Sequence, residues 1–225
     1  MARIIDENFE GTGYEESWSE TVDTGCTLDE DASIPGTHPP GAGSQCAKAI
    51  VLNATANDAW AEQIKTAQNI SYCRVYIYVA EEGFADGNIA VIGRIGAAAG
   101  VSASISIGQN SGVLQMRFSY YSSGAIQSTA WITISLNTWY RIEWRYDITN
   151  LLWAWRIDGI TQHSGSLVAA TRTPDRMLFG IGGHTGAAQT TVYEDLVVWG
   201  DTTWIGAETL SIPVSMHHYN QMRNI

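Results

Sequence analysis

The stretch that decides the fold is Trp139-Tyr140-Arg141-Ile142-Glu143-Trp144-Arg145-Tyr146-Asp147. Its large apolar side chains occupy alternate positions, namely Tyr140, Ile142, Trp144 and Tyr146. The positions between them hold Arg141, Glu143 and Arg145. Because successive side chains of a strand point to opposite faces, this pattern predicts a β-strand with one aromatic side in the core and one charged side in water. Each buried aromatic is worth about 1.5–3 kcal/mol, against about 0.2–1 kcal/mol per charged pair, so packing is expected to hold this strand.

Two more strands are predicted directly after it. Residues 151–157 form the first, and Asp158-Gly159 supplies the positive φ angles of a tight hairpin into residues 160–162. Other β-branched and aromatic runs separated by Gly, Asn and Ser are residues 73–79, 88–95, 101–107, 113–121, 177–182 and 190–199. Residues 55–68 fit a helix and a strand equally well, because they are rich in Ala but also alternate.

Composition and charge limit the classes to which the protein can belong. The 225 residues are 45% hydrophobic and 16% charged, which is typical of a folded chain with one substantial core. The net charge is −11, and acidic residues crowd the first 31 positions, so nucleic acid is excluded as an expected partner. No hydrophilic linker divides the chain. We therefore predict one domain over residues 1–207 and an irregular tail over residues 208–225, where Pro213 discourages regular structure.

The chain is expected to be synthesised in a host cytoplasm. Its first residues carry no apolar signal region, and no later stretch is apolar enough to span a membrane, so no membrane partner is predicted. The three cysteines, Cys26, Cys46 and Cys73, lack metal-site spacing. Buried free thiols are the leading interpretation, and one disulfide with one free thiol is the alternative.

Three motifs together resemble the laminin G-like, concanavalin A-like jelly rolls. The chain has Ile5-Asp6-Glu7-Asn8-Phe9-Glu10-Gly11 near its start, with Trp18 shortly after. The strand at 139–147 leads to Trp155-Arg156-Ile157-Asp158-Gly159, and Val192-Tyr193-Glu194-Asp195-Leu196-Val197-Val198 follows. The resemblance implies an all-β fold of two antiparallel sheets packed as a jelly-roll sandwich. Proteins of this kind serve as glycan-binding modules, as glycosidase or polysaccharide lyase domains, and as adhesion or decoration domains on virions.

No catalytic residue is assigned. The carboxylate spacing Glu-x-Asp-x-x-Glu of glycosidases with this fold is absent. Lyases of this fold carry Arg-x-Glu-x-Arg, Gln-x-His and a C-terminal Tyr segment, of which residues 141–145, Gln162-His163 and Tyr219-Asn220-Gln221 are a partial match. A polysaccharide lyase is therefore kept as an alternative function.

Two kinds of ligand site are expected from the resemblance. Calcium is the one cofactor implied, because some proteins of this fold join their first and last strands through oxygen ligands; Glu10 and Asp195 are the candidate ligands. Glycans are the other ligand, for which the candidate stacking residues are Tyr121, Trp153 and Trp155.

The leading functional hypothesis is a non-enzymatic structural or adhesive protein on a virion surface, of the capsid-decoration or fibre type. Its expected partners are further copies of the chain or virion shell proteins, with glycans as a further ligand. A carbohydrate-binding module is the alternative. On the leading hypothesis the tail contacts neighbouring subunits, through Met216, His217, His218 and Tyr219.

Truncation after Leu210 tests that assignment of the tail. It should abolish assembly, because the proposed contact residues are removed while the domain is kept. Light scattering after size-exclusion chromatography measures oligomeric state, and particle purification measures incorporation. Full assembly by the truncated chain would contradict the assignment.

Overall fold

The computed structural model describes residues 3–11, 13–14, 17–37, 39, 41–52, 55–169, 171–185 and 188–206. Within these ranges the regular structure is entirely strand, and no helix is present that could cross a membrane. The strands are β1 Arg3–Glu7, β2 Ser19–Val22, β3 Thr27–Ser33, β4 Gln45–Val51, β5 Thr55–Ile64, β6 Ile70–Glu81, β7 Ile89–Ala97, β8 Gly100–Asn110, β9 Val113–Ser122, β10 Ala125–Ser128, β11 Ile132–Thr133, β12 Trp139–Asp147, β13 Leu152–Ile157, β14 Ile160–Ser166, β15 Arg176–Thr185 and β16 Thr190–Gly200.

These strands form two antiparallel sheets of eight strands each. Sheet I has the order β14-β13-β12-β6-β16-β4-β3, with β1 paired to β16. Sheet II has the order β10-β9-β8-β7-β15-β5-β2, with β11 paired to β9. Buried apolar side chains of both sheets form one core cluster between them. The structure is a two-sheet jelly-roll sandwich, which confirms the predicted fold class.

The strand at 139–147 lies where the alternation predicted. Ile142, Trp144 and Tyr146 of β12 are fully buried, and Tyr140 packs against the same core. The meander β12-β13-β14 is also present, and the turn between β13 and β14 has positive φ at Asp158 and Gly159. The aromatic side of this ribbon therefore anchors one half of the core.

Two alternatives left open by the sequence are settled. Residues 55–64 form strand β5, which places Ala59 and Ala61 in the core and leaves the larger Trp60 on the outer face of sheet II. The three cysteines are free and buried, as the leading interpretation predicted. Burial raises the pKa of Cys73, so this thiol stays protonated and packs as a small apolar side chain.

One carboxyl group crosses the interior of the sandwich. Glu194 on β16 of sheet I is 1% exposed, and its Oε2 accepts a hydrogen bond of 2.5 Å from the backbone N–H of Gly180 on β15 of sheet II. The pairing of β15 with β7 shifts register between Phe179 and Gly182, so the ladder is irregular at this point. Burial raises the pKa of Glu194, although the bond from Gly180 opposes the rise. A neutral carboxyl group thus supports the irregular strand from inside.

Gly180→Ala should lower the free energy of unfolding by about 1–3 kcal/mol. Gly180 has a φ of +90°, and an added Cβ would lie 2.4 Å from the carbonyl oxygen of Ala59. Gly182→Ala is the matched control two residues along, because its added Cβ would make an ordinary contact of 3.4 Å with Trp60. Urea unfolding at an unchanged m value measures both. Equal stability of the two variants would contradict this account of β15.

Candidate functional site

Two neighbouring strands place tyrosines and arginines together on the outer face of sheet I. On β6 the outward side chains alternate with the core residues Cys73, Val75, Ile77 and Val79. The outward members are Tyr72, Arg74, Tyr76 and Tyr78, and none is more than 8% exposed. The sequence pattern of β6 thus gives a strand that is buried on both faces.

β12 adds charged side chains to the same face. Residues paired across antiparallel strands share a face of the sheet. The cross-strand pairs are Arg141 with Tyr76, Glu143 with Arg74, Arg145 with Tyr72 and, on β13, Arg156 with Glu143. We call these seven residues the arginine–tyrosine face.

Cations outnumber anions on this face. Four of the twelve Lys and Arg residues of a chain with net charge −11 lie there. Arg141 Nε lies 3.3 Å from Glu143 Oε2, and Arg145 forms an ion pair with Asp147 at the end of β12. Burial alone would raise the pKa of Asp147, but hydrogen bonds from Asn150 and Arg145 lower it, so this carboxylate is charged. The face keeps an excess of positive charge.

The segment after β16 covers part of the arginine–tyrosine face. We call residues 201–206 the covering segment. Gly206 donates its N–H to Glu143 Oε1 at 2.7 Å and accepts a hydrogen bond of 3.0 Å from Arg74 Nη1. The rings of Trp204 and Tyr72 have centroids 5.5 Å apart. The Arg156 guanidinium lies 3.7 Å from the centroid of the Trp204 ring.

The prediction that the charged side of β12 lies in water is therefore wrong. Glu143 is 1% exposed, and the side chains of Arg141 and Arg145 are only 16% and 22% exposed. The physical reason is the covering segment, whose irregular sequence gives no sign that it packs there.

Some buried polar atoms of the arginine–tyrosine face lack hydrogen bonds. Among the described residues, the buried Nε atoms of Arg145 and Arg156 have no hydrogen-bond partner, whereas the Arg141 guanidinium lies against Tyr76 and Glu143. Burial raises the pKa of Tyr76, although neighbouring Arg141 opposes the rise, so its phenol is neutral near pH 7. Buried polar atoms are usually satisfied by protein, water or ligand, so these donors mark where a bound acceptor would fit.

The three aromatic residues predicted to bind sugars are not gathered in one place. Trp155 is fully buried and Trp153 is 9% exposed, stacked on Tyr120 at 4.3 Å, so both rings pack in the core. This burial does not fit stacking on a sugar ring. Tyr121 is half-buried, and the Arg172 guanidinium lies 3.8 Å from its ring centroid.

The structure also places the described residues that partly match the lyase motifs on opposite sides of sheet I. His163 pairs with Trp155, and its ring stacks on that buried indole at 6.3 Å. Arg141 and Glu143 point to the opposite side of sheet I. The histidine is therefore not brought to the arginine–tyrosine face. The tail residues Met216, His217, His218 and Tyr219, as well as Asn220 and Gln221, lie outside the described residues.

Glu10 and Asp195, the predicted calcium ligands, are electrostatically coupled. Asp195 is fully buried, and its pKa is raised to about 8, mainly by burial. The hydrogen bond from Leu196 N–H and the charge of Arg74 lower this pKa, whereas the nearby carboxyl groups of Glu10 and Glu7 raise it. Its Oδ2 has no hydrogen-bond partner among the described residues. Glu10 Oε1 accepts hydrogen bonds from the N–H groups of Ser44 and Gln45 at 2.8 and 3.0 Å. Glu10 is thus held by two backbone donors, whereas one oxygen of Asp195 has no partner among the described residues, and a cation would stabilise that carboxylate.

Further oxygen atoms lie beside Glu10. One end of the Gln45 amide is 3.2 Å from the carbonyl oxygen of Phe9 and 3.1 Å from that of Gly11. The amide nitrogen belongs at this end, because it donates to both carbonyl oxygens, whereas an oxygen there would face acceptors only. No group of three His, Cys, Asp or Glu among the described residues is placed to hold a metal, so carbonyl and amide oxygens would have to contribute. The two carbonyl oxygens already accept from Gln45, so the described residues do not make up a complete set of oxygen ligands, and calcium stays a prediction.

Comparison with known proteins supports the fold. No protein-family model matches the chain, and no curated protein matches it. Among solved structures, it is similar to the cellulose induced protein Cip1, with a TM-score of 0.67 and 14% identity over 91% of this chain and 100% of Cip1. It is also similar to the receptor binding domain of botulinum neurotoxin type G, with a TM-score of 0.58 and 10% identity over 99% of this chain.

A third similar structure is the PL7 alginate lyase AlyA1 from Zobellia galactanivorans. Its TM-score is 0.52, with 11% identity over 70% of this chain and 78% of the lyase. The chain spans about half (52%) of the length of the botulinum domain. At these identities the likeness shows the fold alone, which is a concanavalin A-like jelly-roll sandwich.

Calcium should stabilise the protein more strongly as the pH rises. Because folding raises the pKa of Asp195 from 3.8 to about 8, its contribution to stability falls as the pH rises through that interval, and bound calcium would offset the loss. Thermal unfolding from pH 5 to 8, with calcium and with chelator, measures this.

Asp195→Asn is the decisive variant for this prediction. It should remove the calcium response and flatten the pH slope, although Glu194 keeps part of the slope because its pKa is also raised. Asp86→Asn, in an exposed loop, is the control and should keep the response. A calcium response that survives in Asp195→Asn would place the cation elsewhere.

Proposed function

We propose that this chain is a carbohydrate-binding domain whose arginine–tyrosine face binds acidic glycans. The observation that carries the proposal is the pair formed by Tyr76 and Arg141. They are cross-strand neighbours on the covered outer face of sheet I, where the Arg141 guanidinium lies beside the Tyr76 phenol and 3.3 Å from the Glu143 carboxylate. A neutral phenol and a guanidinium side by side suit a sugar carboxylate, which accepts charge-assisted hydrogen bonds.

The charge of the surroundings favours an acidic ligand. The face has four arginines against Glu143 and the neighbouring Asp147. Asp195 pairs with Tyr76, but with a pKa of about 8 it is mostly neutral at pH 7. An otherwise acidic chain thus concentrates positive charge beneath the covering segment, where an acidic glycan would be repelled less strongly than elsewhere on the molecule. One neighbour in fold is by its name an alginate lyase, and alginate is a polyuronate.

Binding is favoured over catalysis for this face. Lyase chemistry needs a base to take a proton from the sugar ring, and the raised pKa of Tyr76 keeps its phenol protonated. His163 lies on the other side of the sheet with Trp155. The placement of the protein on a virion surface stays a prediction, tested by the truncation after Leu210.

Affinity electrophoresis and calorimetry with alginate and polygalacturonate test the proposal, with dextran as the neutral comparison. The wild type should bind the two polyuronates, more weakly as salt is added, and should not bind dextran. Arg141→Ala should weaken binding by about tenfold or more, because a charge-assisted hydrogen bond is lost. Tyr76→Phe should also weaken it, because the phenol beside Arg141 loses the hydroxyl that would contact the carboxylate.

Arg117→Ala is the matched control. It removes one positive charge from β9 of sheet II, where Arg117 lies over Trp131, and should leave polyuronate binding unchanged. Equal binding of dextran, or undiminished binding by Arg141→Ala, would overturn the proposal. Ultraviolet absorbance of unsaturated products, recorded on the same mixtures, would reveal a lyase instead.

A further inference from the structure

A hollow of about 270 Å³ lies on the outer face of sheet II, on the opposite side of the sandwich from the arginine–tyrosine face. Its floor is the stretch of β15 that holds Gly180, Gly182 and Gly183. β15 runs between β5 and β7, and both neighbouring strands carry larger outward side chains. The hollow is open because these three positions of the middle strand are glycines, which have no side chain to fill it.

Trp60 forms one wall of this hollow. It pairs with Gly180 across β5 and β15, and it is half-buried. A Cβ added to Gly182 would lie 3.4 Å from Trp60 Cδ1, so the indole leans over the glycine backbone. Val91 and Arg94 of β7 form the facing wall, with Leu178 on β15 between them and β5. The walls and floor together enclose a space that is large enough for one six-membered ring beside the indole.

The rim carries both a donor and an acceptor. Asp58 Oδ1 lies at the rim and accepts a hydrogen bond of 2.6 Å from Gly183 N–H, which leaves its second oxygen for other donors. Arg94 Nε has no hydrogen-bond partner among the described residues. Burial lowers the pKa of Arg94 below its ordinary value, and the guanidinium remains charged at neutral pH.

The charges around the hollow nearly cancel. The positive charges are those of Arg94 and Arg176, and the negative charges are those of Asp58, Glu62 and Asp175. Arg176 is already held by Glu62 at 3.4 Å and by Asp175 at 2.8 Å. This surface, unlike the arginine–tyrosine face, has no positive excess that would attract a carboxylate.

We propose that the Trp60 hollow is a second carbohydrate site, which takes a single neutral pyranose ring. The apolar face of a sugar ring would pack on the indole, as sugars do on partly exposed aromatic rings that have one apolar side and a wet edge. Its hydroxyl groups would meet Asp58 and Arg94, and the glycine backbone allows close approach. The volume lies near the lower end of small-molecule sites, which fits one ring rather than a chain. This inference does not rest on the proposed function of sheet I.

Saturation-transfer NMR with the methyl glycosides of glucose, galactose, mannose and xylose, and with methyl glucuronide, tests the inference. At least one neutral glycoside should receive saturation from the wild type and from Arg141→Ala, and methyl glucuronide should receive less from Arg141→Ala, in which the proposed sheet I site is weakened. Trp60→Ala should weaken the affinity by about tenfold, because the stacking wall is lost. Gly182→Val should weaken it similarly, because its methyl groups enter the hollow from a position where an added Cβ makes only ordinary contacts.

Two controls separate this site from others. Trp131→Ala removes a half-buried tryptophan elsewhere on sheet II and should leave binding unchanged. Arg141→Ala should also leave it unchanged, so failure of the sheet I site would not affect this result. The inference is overturned if no neutral glycoside binds, if methyl glucuronide binds best to Arg141→Ala, or if Trp60→Ala binds neutral glycosides like the wild type. Thermal melts of every variant check folding, and Trp60→Ala decides the outcome should Gly182→Val unfold.

Discussion

The indole of Trp144 fills the space between the two sheets. Trp144 on β12 is fully buried, and a Cβ added to Gly93 on β7 of the facing sheet would lie 3.3 Å from its Cη2. A large side chain from one sheet therefore meets a glycine of the other, which keeps the layers at the close packing of protein interiors. This contact fixes which side of β12 faces inward. The outward direction of Arg141, Glu143 and Arg145 follows from it, and so does the arginine–tyrosine face.

Strict alternation made the central strands predictable. In β12 every second residue is large and apolar, so the sequence specified both the strand and its buried side. β5 was ambiguous because Ala59 and Ala61 are small enough for a helix or a strand, and only the pairing of β5 with β15 and β2 decides between them. β16 shows the limit of the pattern, since Glu194 lies in the core among apolar neighbours and its role depends on Gly180 in the other sheet.

Neither candidate site could be found from the sequence. The arginine–tyrosine face requires the pairing of β6 with β12, whose residues are more than sixty positions apart, and pairing partners cannot be read from a single strand. The Trp60 hollow requires glycines of one strand to lie between large residues of two others. Trp153 and Trp155 are predicted from the sequence as candidate sugar-stacking residues, but alternation along β13 places both inside. Trp60 differs from them in lying on the outward side of its strand, because its neighbours Ala59 and Ala61 point into the core.

The covering segment also sets a limit on affinity. Arg74 and Glu143 are bound to the backbone of Gly206, and Arg156 stacks on Trp204. A glycan that needs these groups must first displace residues of the same chain. Its observed dissociation constant then equals the intrinsic one divided by the fraction of molecules in which the face is uncovered. Changes to residues 201–206 that never touch a sugar would tune recognition by altering that fraction.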